Sequence, residues 1–156
     1  MLTTFSHPAL RKGMLELISQ QPYTHSVTLN ADRELTAKNL RSIFGTFCAR
    51  IDRKIWGHQR VRSVPSADRF QAIAFPEHLS TNAHLHCLAD LSSLRNVCGT
   101  KTRMERTIRD YWLQSNRGAG SVDVQLLYSD GFGEYAMKDA DMSDPVYFLS
   151  CDFHPK

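Results

Sequence analysis

The order of predicted elements, strand, helix, strand, strand, helix, strand, points to an α+β domain built on an antiparallel sheet of about five strands, with helices on one face. Two observations carry that expectation. Around Val27, Leu85 and Val124 the chain alternates apolar with polar residues, the period of a strand with one packed and one open face. Around Phe44 and Ile108 apolar residues recur instead at steps of three and four, the stripe that a helix lays on a sheet. A chain of 156 residues, 42% hydrophobic and 22% charged, suits a single domain over 1–156 with one core.

Residues 1–22 read as a helical extension, with Leu10, Met14, Leu17 and Ile18 at helical spacing after Ser6 and Pro8. They lack the basic start, apolar centre and small-residue cleavage site of an export signal, so a cytoplasmic location is expected. The first strand is Tyr23 to Asn30, where Thr24, Ser26, Thr28 and Asn30 share a face. Asp32 is placed to cap a helix carrying Leu40, Phe44, Phe47, Cys48, Ile51 and Ile55, which should end near Gly57.

From His58 to Asp68 the chain reads as a loop, and six basic residues between Arg50 and Arg69 suggest a local positive patch. Arg60 and Arg62 are its candidate contacts with a polyanion. A hairpin follows, Arg69 to Glu77 and Ala83 to Leu91, with Pro76 at a strand end and Ser80, Thr81 and Asn82 in the connection. Lys101 to Ser115 forms the second helix, with Met104, Ile108, Tyr111 and Trp112 on one side and Gly118 and Gly120 beyond its end. A strand from Val122 to Tyr128, a helix-compatible stretch from Glu134 to Met142 and a short strand from Val146 to Leu149 complete the chain.

No apolar run approaches the roughly 18 residues needed to cross a bilayer, which argues against a membrane partner. The four cysteines, at 48, 87, 98 and 151, form no Cys-x-x-Cys pair and are expected as free thiols. The net charge of +3 is too small to identify a nucleic-acid partner by itself.

Chemistry concentrates at His84-Leu85-His86. On a strand, residues two apart point the same way, so both imidazoles can address one cation while Leu85 and Cys87 face the helices. Glu77 lies seven residues earlier, and a hairpin that sets it opposite His84 puts its carboxylate on the histidine face. Two imidazoles and a carboxylate suit Mg²⁺ or Mn²⁺ with positions left open. His78 would point to the other face in that register. A structural zinc site that recruits Cys87 and Cys98 is a weaker alternative, because Cys87 should point away from the histidines. Downstream, Tyr135 and Lys138 are three apart after a glycine-bearing turn and would share a helix face. Only about one free tyrosine in a thousand is ionised at neutral pH, so a neighbouring ammonium and a cation would each favour the reactive phenolate.

In order and spacing, the strand end Thr28-Leu29-Asn30, the His84-x-His86 strand with Glu77 upstream and the Tyr135-x-x-Lys138 helix resemble the HUH endonucleases, in particular the single-tyrosine Rep proteins that start rolling-circle replication of plasmids, phages and small viruses. The resemblance spans Tyr23 to about Asp141. It implies a ferredoxin- or RRM-like sheet, metal ligation by His84, His86 and Glu77, attack by Tyr135 on a phosphodiester of single-stranded DNA to leave a 5′-phosphotyrosyl link, and charge compensation by Lys138. Thr28 and Asn30 would then lie near DNA. Asp123 and Gln125 alternate with Val122 and Val124, which puts them on the open face either as solvated strand residues or beside the ligands. Gly99-Thr100-Lys101-Thr102 fails the spacing of a phosphate loop, so unwinding and synthesis would fall to a host or phage helicase and polymerase.

Three rival readings share these residues. A transposase would use the same chemistry. A metal-dependent phosphodiesterase would use water in place of Tyr135. A non-catalytic binder of single strands would need exposed aromatics such as Phe75, Trp56 or Phe132 for base stacking.

Overall fold

A computed structural model describes residues 7–127 and 147–154. The elements run α1 (His7–Ser19), β1 (His25–Asn30), α2 (Ala37–Trp56), β2 (Ala72–Glu77), β3 (His84–Ala89), α3 (Ser92–Cys98), α4 (Lys101–Ser115), β4 (Ser121–Leu126) and β5 (Phe148–Leu149). Short 3-10 helices cover Arg60–Ser63, Ser66–Asp68 and Ser150–Phe153. The fold class is the expected one: a five-stranded antiparallel sheet in the order β4-β1-β3-β2-β5. Tyr128, Phe132 and the stretch from Glu134 to Met142, with Tyr135 and Lys138, lie outside the described residues.

One face of the sheet carries the main core. Val27 and Leu29 of β1, Leu85 and Cys87 of β3, and Ala72 and Ala74 of β2 pack there against Leu40, Phe44 and Ile51 of α2 and Met104, Ile108 and Trp112 of α4. Small residues on β2 let the large side chains of α2 sit close to the sheet, which is how a tight core of this size is filled. The expected apolar stripes of both helices are the buried ones, save Ile55 and Tyr111, which are half-buried at the margin of the core.

The other face divides in two. Ile73, Phe75 and Leu88 form a second core with Met14 of α1, and Ile18 and Tyr23 pack around it. The N-terminal helix therefore covers part of the face expected to be open. The signal was present, because three large apolar side chains on that face would otherwise stand in water, at a cost of about 1.5–3 kcal/mol each. Phe75 is 3% exposed, so the central aromatic that a base-stacking surface would use is inside the protein.

Several local expectations are corrected. Thr36, rather than Asp32, caps α2: its hydroxyl accepts the Asn39 N–H at 3.1 Å. Asp32 instead takes a left-handed turn (φ 56°), and its N–H donates to Asn30 Oδ1 at 2.9 Å. The loop after α2 holds two 3-10 helices, and Arg69 is not an exposed member of a basic patch. It is buried and donates to the carbonyls of Val61 (2.7 Å) and Val64 (3.1 Å), tying that loop together. Helix α3 was not anticipated. Among the described residues no helix is long and apolar enough to cross a membrane.

Candidate metal centre

The hairpin β2–β3 has the register that its sequence suggests, with Glu77 opposite His84 and Phe75 opposite His86. Alternation then sends Glu77, His84 and His86 to the half of the sheet that α1 leaves uncovered. Glu77 Oε2 lies 3.0 Å from His84 Nε2 and 3.0 Å from His86 Nε2. The three ligand atoms all fall within 4.8 Å of one another, and among the described residues no other group of histidine, cysteine, aspartate and glutamate converges in this way.

This donor set fits a divalent ion. Adjacent ligands of an octahedral ion with bonds of about 2.1 Å stand about 3.0 Å apart, which is the separation between Glu77 and each histidine. The Glu77 side chain is 4% exposed and the histidines 17% and 20%, so the carboxylate forms the floor and the imidazoles the rim. A carboxylate this deeply buried needs a cation or strong donors. The His84 and His86 Nε2 atoms both face it, and a cation bound among the three groups would supply the compensating charge.

Neighbouring groups aim the rings. His84 Nδ1 lies 3.1 Å from the Asn82 carbonyl, which can only accept; the proton is thereby placed on Nδ1 and Nε2 is turned toward Glu77. Thr28, opposite His86 on β1, places its hydroxyl 3.4 Å from His86 Nδ1. The His84 and His86 rings meet edge to face with centroids 5.0 Å apart.

His78 is a correction. A regular strand would have sent it to the far face, but its left-handed backbone (φ 50°) ends β2 and swings the ring over His84, with centroids 5.2 Å apart and planes 29° from parallel. It is exposed and walls the site without joining the ligand group.

The supports of the site were not visible in the sequence. The Ala83 N–H donates to the Arg33 carbonyl, the Ala31 N–H to the Ala83 carbonyl and the Leu35 N–H to the Leu79 carbonyl, all at 2.9–3.0 Å, so the chain after β1 braces the β2–β3 connection. Asn116, fully buried, donates to the carbonyls of Ala31 (3.0 Å) and Ala119 (2.7 Å) and accepts from the Arg33 guanidinium (2.7 Å). Trp112 Nε1 donates to the Asn30 carbonyl at 2.8 Å. Gly120, at φ 115°, lies so close to the Asn30 carbonyl oxygen that no side chain could stand there.

Across the open face, Asp123, Thr28, His86 and Phe75 form one row on β4, β1, β3 and β2, and Ser121, Asn30, His84 and Glu77 form the next. Thr28 and Asn30 therefore border the ligands directly. Asp123 stands two strands from His86, about 10 Å at the backbone, and is held by Gln125 Nε2 at 3.2 Å. Neither Asp123 nor Gln125 joins the ligand group.

Arg60 and Arg62 are not brought to this centre. Their loop leads into β2 at Ala72, and Glu77 is at the other end of that strand, about 16 Å further along the chain. Arg60 instead lies over the half-buried Trp56 ring, 5.6 Å from its centroid.

The zinc alternative finds no support in the geometry. Cys87 is in the main core on the opposite face, with burial pushing its thiol well up, and Cys98 is buried near Thr107. Among the described tyrosines, burial pushes Tyr23 up to about 12 and raises Tyr111, which lies on α4 behind the sheet. No protein-family model, curated protein or solved structure matches the chain.

Proposed function

We propose that the chain is a metal-dependent nickase and strand transferase acting on single-stranded DNA, of the HUH type, serving the start of rolling-circle replication of a plasmid, phage or other mobile element. The observation that carries the reading is the convergence of Glu77, His84 and His86 on the uncovered half of an antiparallel sheet.

Glu77, His84 and His86 would hold Mg²⁺ or Mn²⁺, whose role when bound is to polarise a scissile phosphate. Thr28 and Asn30, which border the ligands, would meet the DNA backbone as it crosses the sheet. Tyr135 is the proposed nucleophile. Its phenolate oxygen forms the new bond to phosphorus as the 3′-oxygen of the preceding nucleotide leaves, giving a 5′-phosphotyrosyl link and a free 3′-hydroxyl. Lys138 offsets the charge at the phenolate. Since one phosphodiester replaces another, no nucleotide hydrolysis is required and the step can reverse. A host or phage helicase and polymerase would complete replication, and a transposase would use the same step on element ends.

The test is cleavage of a labelled pool of single-stranded oligonucleotides with Mn²⁺ or with EDTA. The proposal expects cutting with Mn²⁺ that is lost with EDTA and in Glu77→Ala. Cutting with no covalent protein–DNA product would indicate a phosphodiesterase that uses water, and tight binding with no cutting under any metal would indicate a non-catalytic binder.

A further inference from the structure

Behind the sheet, on the side of α2 and far from the metal ligands, α2, the loop that follows it and the 3-10 helix Ser150–Phe153 enclose a cavity of about 230 Å³. Its polar wall consists of Asp52, Arg53, His58, Arg62, Arg69 and His154. Three arginines and one aspartate line it, an excess of two positive charges before the histidines are counted. None of the three guanidinium groups is ion-paired among the described residues.

The cavity is built from fixed parts. Arg69 is anchored by the Val61 and Val64 carbonyls, and Asp52 Oδ1 accepts the Phe70 N–H at 2.8 Å. Gly45 on α2 leaves room for the Phe153 ring, which a β-carbon there would approach to 2.5 Å, and the helix carrying Phe153 delivers His154 to the cavity. The His154 side chain is 6% exposed. Its Nδ1 lies 2.6 Å from the Ser66 hydroxyl, while its Nε2 is buried without a hydrogen-bond partner and stands 3.6 Å from Asp52 Oδ2. When Ser66 donates to Nδ1, the neutral ring carries its proton on Nε2, an unused donor inside a positively charged pocket. A donor left buried and unmet is costly, and a ligand acceptor would satisfy it.

We propose that this cavity binds a small phosphate-bearing anion, either inorganic phosphate or a phosphomonoester, through Arg53, Arg62 and His154 Nε2, with Arg69 supplying fixed positive charge. Two negative charges on the ligand match the excess of the wall. The volume is below the roughly 300–1,000 Å³ of sites for larger small molecules, which excludes a dinucleotide. Asp52 is the one group that opposes an anion, and its Oδ1 is already engaged by the Phe70 N–H.

The test is calorimetric titration of the full chain with inorganic phosphate and, separately, a nucleoside 5′-monophosphate, with EDTA present and ionic strength held constant with NaCl. Saturable binding at one site is expected, weakened at least about tenfold by Arg62→Gln and by Arg53→Gln and unchanged by Arg106→Gln on α4, with a shift of the His154 Nε2 resonance on binding. A monophosphate that binds more tightly than phosphate assigns the site to a phosphomonoester; the reverse assigns it to the free ion. No saturable binding of either probe, or equal weakening by Arg62→Gln and Arg106→Gln, would overturn the proposal.

Discussion

Glu77 and His84 face each other across the β2–β3 ladder with Oε2 and Nε2 3.0 Å apart, and the same carboxylate oxygen is 3.0 Å from His86 Nε2. One buried oxygen thus serves both imidazoles, and the three groups form a unit that depends on strand register. A slip of one residue would send both histidines into the core.

Removing Glu77 should therefore cost metal affinity more than it costs the fold. Glu77→Ala is expected to weaken Mn²⁺ binding by more than about tenfold while thermal unfolding in EDTA remains cooperative. Calorimetry with Mn²⁺ measures the first and a melting curve the second; unchanged Mn²⁺ affinity would remove Glu77 from the ligand set.

Asn116 joins the end of α4 to the end of β1 and to Arg33, next to the candidate metal centre. Asn116→Ala leaves buried carbonyls and a guanidinium without their partner, and a loss of about 3 kcal/mol in urea unfolding is expected. A change below about 0.5 kcal/mol would show that the bracing is redundant.

Gly120→Ala should be costly for a different reason, since its φ of 115° is open only to glycine and the new β-carbon would meet the Asn30 carbonyl. A loss of about 2 kcal/mol or more is expected, together with weaker Mn²⁺ binding because Asn30 borders His84. Equal stability and affinity in variant and wild type would contradict this.

The cavity behind the sheet predicts a pH effect. Burial, reinforced by the Arg69 charge, lowers the His154 pKa from 6.5. The unfolded chain then binds the proton first, so His154 costs stability as the pH falls below 6.5 toward its folded pKa. Asp52 acts in the opposite direction: burial raises its pKa from 3.8, so its contribution is full below 3.8 and declines as the pH rises through its folded value. Asp52 is present in both proteins of the comparison. The melting-temperature gap between wild type and His154→Gln should therefore narrow from about pH 7.5 to about pH 5.5; a gap that widens would refute the assignment.

Much of this arrangement is legible in the sequence, and the parts that are not have identifiable causes. Alternation on both arms of a short hairpin puts Glu77 on the histidine face once it is paired with His84, and the ends of α2 and α4 follow from Gly57 and from the glycines after Asn116. Asp32 and Thr36 are both competent caps, and only the turn that Asn30 imposes on Asp32 decides between them. Helix α3, seven residues long, is too short to display a period. His78 could not be placed because a left-handed residue breaks strand alternation. Arg69 was expected in a solvated patch, yet its bonds to two carbonyls of its own loop bury it, a matter of tertiary structure that charge patterning does not report.

The central claim, that the metal centre serves a tyrosine nucleophile, is tested most directly by mass spectrometry of the protein after incubation with single-stranded DNA and Mn²⁺. A peptide bearing a 5′-phosphonucleotide on Tyr135, absent in Tyr135→Phe and in His86→Ala, is the predicted result. Cleavage that persists in Tyr135→Phe with no modified tyrosine in the wild type would contradict it.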